Sequence, residues 1–299
     1  MADWSPADMP SQDGRTALVT GANSGIGYET ARVLADAGAR VIVAARNEAK
    51  GRTAALAVGN GAEWRPLDLA SLASVAAFAK RLLSEEARID LLILNAGIMA
   101  PPRRETTADG FELQLGVNYL GHFALTARLW PLLVATSGAR VIALSSIAAR
   151  RGRIRFGDLQ FERRYDPWAA YAQTKLAMLI FARELARRAE GTGVASIAAH
   201  PGFARTRLIA NGMGESPRGR LATIAARLFG QSAAEGALPV LRAATDPAVR
   251  SGDYVGSTGW LELKGPPGPA DVPPAARDPE TAKRLWTVSE ELIGLAFRP

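Results

Sequence analysis

This sequence of 299 residues predicts a single doubly wound α/β domain, a parallel sheet with helices on both faces. Three observations carry that expectation. Short β-branched apolar runs alternate with Ala/Arg/Glu-rich helical stretches along the chain. The first run leads straight into a glycine-rich turn that opens a helix. No internal repeat or composition break marks a second domain, and the length suits one large core.

Taken in order, residues 1–13 read as a flexible polar tail and 14–299 as the domain. The runs at 17–19, 41–43, 91–94, 141–144 and 194–198 are too short and too uniformly apolar for surface strands, so they predict buried parallel ones. Helices are expected at 27–37, 48–58, 72–87, 108–134 and 168–189, with a last one at 279–296 after a Pro/Gly-rich irregular loop at 256–279. Segment 150–166 reads as an insertion. Its six arginines (Arg150, Arg151, Arg153, Arg155, Arg163, Arg164) are interleaved with Ile154, Phe156 and Phe161. The bland reading is solvated charge over apolar anchors; the alternative is a binding patch. Segment 203–232 carries Leu208, Ile209, Met213 and Phe229 with several glycines, and reads either as an apolar lid over a substrate or as a surface helical hairpin.

Composition excludes several kinds of chemistry. With no cysteine, disulfides and thiolate metal sites are ruled out, and His122 and His200 alone do not make a histidine metal cluster, so no metal is expected. The net charge of +7 comes from arginines scattered along the chain. Nucleic-acid binding normally needs a clustered stripe, so it is not expected, whereas a polyanionic small ligand is compatible. An acidic N-terminus and the lack of a long uncharged apolar run predict neither a signal peptide nor a transmembrane segment, hence a cytoplasmic protein.

The turn after the first strand, Thr20-Gly21-Ala22-Asn23-Ser24-Gly25-Ile26-Gly27, has the spacing of a phosphate cradle. Glycines there tolerate positive φ and let the backbone approach a ligand, and the opening helix offers free N–H groups to a pyrophosphate. At the end of the second strand, Ala45 is followed by Arg46 and Asn47, where a site for an unphosphorylated ribose would carry an acid. A guanidinium there favours NADP(H) over NAD(H), unless Arg46 is only a solvated loop cation. Further along, Tyr171 and Lys175 stand four apart on a predicted helix, one face and one turn. A cation beside a phenol of ordinary pKa about 10 is expected to pull it toward the working range of a general acid/base.

The ordered set of motifs resembles the short-chain dehydrogenase/reductase family over nearly the whole chain. The set is Thr20-Gly21-x-x-x-Gly25-x-Gly27, Asp68-Leu69 after a third strand, Asn95-Ala96-Gly97, Asn118, Ser145-Ser146, Tyr171-x-x-x-Lys175 and Pro201-Gly202. The resemblance implies a Rossmann fold and a nicotinamide cofactor held by Gly21, Asn23, Ser24, Gly25, Ile26, Gly27, Arg46, Asn47, Asp68, Leu69, Asn95, Ala96, Gly97, Tyr171, Lys175, Pro201, Gly202 and Thr206. It implies Tyr171 as general acid/base, Lys175 lowering its pKa, Ser146 orienting the substrate oxygen, and Asn118 supporting a proton path through Lys175. Ser145, His122 and His200 are expected to be structural. Ser146 and Tyr171 are 25 residues apart, a longer gap than the family's usual dozen or so, and Thr174 stands where serine is commoner. The lengthened gap, with Asn118-Tyr119-Leu120-Gly121-His122-Phe123, resembles the retinol-dehydrogenase-like branch. That implies an apolar aldehyde, ketone or alcohol as substrate, and a possible homodimer paired through the Tyr171 helix. The reading from another class is a catalytically silent cofactor sensor or scaffold, which predicts damage to the Asn118, Ser146, Tyr171, Lys175 set. All four are present.

Overall fold

The computed structural model describes residues 3–203 and 230–299. Eight strands form one sheet: β1 (Thr16–Thr20), β2 (Arg40–Ala45), β3 (Glu63–Pro66), β4 (Leu91–Leu94), β5 (Arg140–Leu144), β6 (Ala195–Ala199), β7 (Tyr254–Ser257) and β8 (Pro267–Pro269). Their order is β3-β2-β1-β4-β5-β6-β7-β8, parallel throughout except for the antiparallel β7–β8 pair. The order in which the strands are laid down across the sheet reverses between β1 and β4, and the loops after these strands open a crevice there, where α/β sheets bind ligands.

Side-chain alternation divides the core into two layers. Leu18, Leu92 and Leu94 face α3 (Leu72–Glu85), α4 and α5 (Pro167–Arg188). Helix α4 consists of Leu113–Leu115, a π-helical Gly116–Leu120 and Gly121–Ala135. Ala17, Val19, Leu91 and Ile93 face the opposite way, onto α1 (Gly25–Asp36), α2 (Glu48–Val58) and α6 (Ala233–Thr245). The strands expected from apolar runs are therefore buried on both sides. Strand β3 is an edge of a different kind. Its Arg65 is buried and held by Glu63, Glu85 and Glu86.

Helix α7 (Pro279–Ile293) closes the first layer. Asp278 caps it, accepting from Glu280 and Thr281, and Gly294 at φ 64° ends it. Its Trp286 stacks on Phe181 of α5 and on Phe297, with ring centroids 5.9 and 4.9 Å apart, and Tyr119 and Ser289 hydroxyls meet at 2.7 Å. The stretch of the Tyr171 helix around Phe181 is thus covered from within the chain.

Three expectations change. The helix expected from residue 108 starts at Leu113, because Thr107 Oγ1 accepts from the Asp109 and Phe111 amides and Gly110 turns at φ 85°. The loop expected at 256–279 contains the end of β7 and all of β8; prolines fit an edge strand, which needs few donors. The expected tail is packed from Trp4 onward, with Trp4 and Met9 on the second core layer and the Gln12 amide bonded to Ala37 O at 2.8 Å. In segment 150–166, Ile154, Phe156 and Leu159 pack on the core, and Gln173 of α5 bonds Arg155 N and Leu159 O. Most of the 203–232 segment, including Leu208, Ile209, Met213 and Phe229, lies outside the described residues. No helix among the described residues is long and apolar enough to cross a membrane, and none of their acidic or histidine side chains group as a metal site.

Candidate active site

A cleft of about 930 Å³ opens at the β1/β4 crevice, at the upper end of the size range of cofactor sites. The turn after β1 forms its floor. Gly21 and Gly25 adopt φ 69° and 60°, backbone that other residues rarely take. A Cβ on Gly27 would stand 2.3 Å from Asn95 Nδ2, and one on Gly21 would stand 2.9 Å from Ala96 Cα. The glycines thus bring α1 and the Asn95–Gly97 loop together. Ser24, the N-cap of α1, makes no side-chain cap bond, so the first-turn N–H groups beside the cleft have no side-chain partner there. A cradle of glycines ending in an uncapped helix start fits a pyrophosphate.

Thr20 ties this floor to the loop after β4 and to α4. Its Oγ1 accepts from the Asn95 and Ala96 amides at 2.9 and 3.0 Å and lies 2.9 Å from His122 Nε2. The other ring nitrogen, Nδ1, donates to the Asn118 carbonyl at 3.0 Å, so Nε2 is the acceptor of the Thr20 hydroxyl. Burial holds His122 neutral, with its pKa pushed down to about 4 and Lys175 nearby acting in the same direction.

At one end of the cleft stand Arg46, Asn47, Lys50, Asp68 and Leu69. Arg46 is three-quarters exposed, its Nη1 4.0 Å from Asp68 Oδ2. Asn47 is partly committed, capping α2 by accepting from Lys50 N. Asp68 likewise accepts from Ala70 N. Lys50 adds a second cation here; in the sequence, its position four after Arg46 is its only mark.

At the other end, Tyr171 and Lys175 line the cleft from α5, with Pro201 opposite. Lys175 Nζ donates to Leu144 O at 3.0 Å and lies 5.9 Å from the centre of the Tyr171 ring. The Ser146 hydroxyl is within hydrogen-bonding reach of the Tyr171 phenol and also accepts from Ala148 N, capping a short 3-10 turn (Ile147–Arg151). Ser145 serves the backbone instead: its Oγ donates to the Lys175 carbonyl at 2.8 Å.

The electrostatics differ from the simple expectation for a Tyr/Lys pair. Burial pushes the Tyr171 phenol up to about 12, offset only in part by Ser146, and pushes Lys175 down to about 8. Desolvation outweighs the cation because both groups are buried and the ammonium is turned to Leu144 O. The lysine therefore does not depress the phenol in this arrangement.

Of the residues expected to hold a cofactor, Gly21, Asn23, Ser24, Gly25, Ile26, Gly27, Arg46, Asn47, Asp68, Leu69, Asn95, Ala96, Gly97, Tyr171, Lys175 and Pro201 line this single cleft. Gly202 does not; it turns behind Pro201 at φ 62°. Thr206 lies outside the described residues. Asn118 is buried behind the cleft wall, its amide spent on Ile98 N, Ile98 O and Thr174 Oγ1. It braces the loop after β4 against α4 and α5. The strip Thr106, Thr107 and Ala108 also lines the cleft, though no sequence motif marks it.

Comparison with known proteins agrees with this geometry. Residues 15–213 match the family model of short chain dehydrogenase. Human retinol dehydrogenase 12 is 42% identical over 296 residues, covering 95% of this chain and 88% of that protein. Mouse retinol dehydrogenase 14 is 40% identical over 299 residues, covering 94% and 86%. Among solved structures, an uncharacterized protein from Mycobacterium paratuberculosis superposes with a TM-score of 0.81 at 39% identity over 99% of both chains. The Pseudomonas aeruginosa RhlG/NADP active-site complex superposes at 0.68 with 27% identity over 85% of this chain and 98% of that one. With its glycine-rich turn, buried Tyr/Lys pair and eight-stranded sheet, this chain is a dehydrogenase/reductase and belongs to the short chain dehydrogenase family.

Proposed function

We propose that this protein is an NADP(H)-dependent reductase of apolar aldehydes and ketones, working in reverse on the alcohols, with Tyr171 as general acid/base. The observation that carries the reading is the placement of Tyr171 and Lys175 at one end of a single cleft and Arg46 and Lys50 at the other. A bound NADP(H) supplies the hydride that adds to the carbonyl carbon. Tyr171 delivers the balancing proton to the carbonyl oxygen, and Ser146, beside the phenol, holds that oxygen in line. A phenol pushed up to about 12 keeps its proton throughout the neutral range, which suits the reductive direction. Lys175 keeps a cation next to the site where the tyrosinate forms. Met99, Ala100, Ala148 and Phe203 cluster around Tyr171, an apolar wall consistent with an apolar substrate. The relatives named as retinol dehydrogenases and the NADP-bound neighbour support the same class.

The test is a parallel screen of aldehydes, ketones, quinones and steroids with NADPH and NADH. Arg46→Ala should weaken NADPH binding by roughly 10- to 100-fold, the worth of a charged hydrogen bond, and leave NADH within about twofold. Equal losses for both cofactors, measured by fluorescence titration, would reverse the preference.

The lysine sets a pH limit. Its folded pKa of about 8 lies below the ordinary value, so the ammonium is lost as pH rises through 8. The same shift makes protein stability rise with pH between there and the unfolded value of about 10.4, because the unfolded chain binds the proton more tightly. Carbonyl reduction, read as kcat/KM, should fall above about pH 8. In Lys175→Arg, which does not deprotonate in this range, that fall should vanish from the residual activity. A limb that stays in place in the variant assigns it to another group.

A further inference from the structure

Behind the catalytic end of the cleft, one carboxylate joins loops from three strands. Glu262 Oε2 accepts from His200 Nε2 at 2.8 Å, and Oε1 accepts from Arg150 Nη2 at 2.6 Å and from Asp271 N at 3.0 Å. Arg150 Nη1 also donates to Leu261 O. His200 is fully buried, and its Nδ1 accepts from Gly202 N at 3.2 Å, which fixes the proton on Nε2, facing Glu262. Leu261 and Glu262 both sit at positive φ, 52° and 58°, backbone that non-glycine residues occupy only when their surroundings compel it. Such strain persists where a clamp holds it.

Both ends of the clamp lead to Tyr171. Arg150 lies on the 3-10 turn that Ser146 caps. On the other side, His200 precedes Pro201, Gly202 and Phe203; the Phe203 amide bonds Leu263 O at 2.7 Å, and its side chain packs in the cluster with Tyr171 and Met99. We propose that Glu262 is a positioning residue, clamping the Ser146 turn to the Pro201–Phe203 loop so that the serine hydroxyl and the phenylalanine wall meet the phenol in register. It touches neither substrate nor cofactor. The catalytic consequence rests on the reading of Tyr171 above; the clamp itself does not.

The experiment compares Glu262→Ala, Glu262→Gln and Arg150→Ala with the parent protein, by hydrogen exchange at residues 200–203 and by kcat, KM and NADPH Kd. In Glu262→Ala the Gly202 and Phe203 amides should exchange faster while β1, β4 and β5 stay protected. Its kcat should fall by roughly 10- to 100-fold, the cost of a misplacement of about 1 Å, with NADPH Kd within about twofold. Glu262→Gln keeps an acceptor for His200 and should recover part of the loss; a merely structural loss would lower cofactor binding and kcat together. Combining Glu262→Ala with Arg150→Ala should cost little more than either alone, since each breaks the same link. Parent kcat in Glu262→Ala overturns the positioning role, and parent exchange rates overturn the clamp. Should the parent reduce no carbonyl, or Tyr171→Phe keep full turnover, the functional reading fails instead, and the exchange data alone decide the clamp. If Glu262→Ala does not fold, Glu262→Gln and Arg150→Ala carry the same tests.

Discussion

Tyr171→Phe should abolish most carbonyl reduction while leaving NADPH binding nearly intact. The substitution removes one hydroxyl from a side chain that is almost fully buried, so the α5 helix and the cleft wall keep their shape. General acid catalysis contributes about 100- to 10,000-fold, and that is the expected loss in kcat. Among the described residues the phenol's hydrogen-bonding neighbour is Ser146, so the melting temperature should shift little. Ser146→Ala should produce a smaller loss, because water can take over part of its hydrogen bonding to the substrate oxygen. Stopped-flow reduction under single-turnover conditions, with NADPH affinity measured separately, is the decisive assay. Unchanged turnover in Tyr171→Phe removes the phenol from the mechanism, whereas a parent protein that binds NADPH and reduces no carbonyl leaves the silent cofactor-binding reading standing.

Trp286→Ala should have the largest effect on stability, about 3–5 kcal/mol, the usual cost of deleting a buried aromatic side chain. Trp286 is fully packed: its ring contacts Phe123, Phe181 and Phe297 at 5.0, 5.9 and 4.9 Å, and the Arg188 guanidinium lies over it at 4.3 Å. Its Nε1 donates to Phe297 O, so truncation also leaves that carbonyl unpaired at the C-terminal end. The cavity would open between α7 and the helix that carries Tyr171. Urea unfolding followed by circular dichroism reads the change as a lower midpoint with an unchanged slope. A loss under about 1 kcal/mol would mean that α7 is a dispensable cover and not a wall of the core.

The site was unevenly legible in the sequence, for physical reasons. Glycine positions such as Gly21 and Gly27 are forced by close approach, and the residue type records the constraint directly. Tyr171 and Lys175 are one helical turn apart, so local geometry alone puts them side by side. Charge balance in a buried pair is another matter. The sequence suggests that the lysine depresses the phenol; burial, which no spacing reports, raises it. Likewise, Asn118 is readable as a motif, but its commitment to Ile98 and Thr174 depends on three elements distant in sequence meeting at one point. Strand β8 was hidden because prolines and glycines usually signal a loop, and only pairing with β7 makes them an edge.

By itself, then, the sequence determined the alternation of strands and helices, the glycine-rich turn after β1 and the one-turn spacing of Tyr171 and Lys175, because these depend on local backbone freedom and on short-range periodicity. Tertiary structure decided the rest. It folded the N-terminal residues against the core, sealed α5 beneath α7, held His122 neutral between Thr20 and Asn118, and brought Glu262 from the β7–β8 turn to the Ser146 and Phe203 loops. These outcomes depend on which distant surfaces exclude water together, and desolvation is a property of the assembled fold.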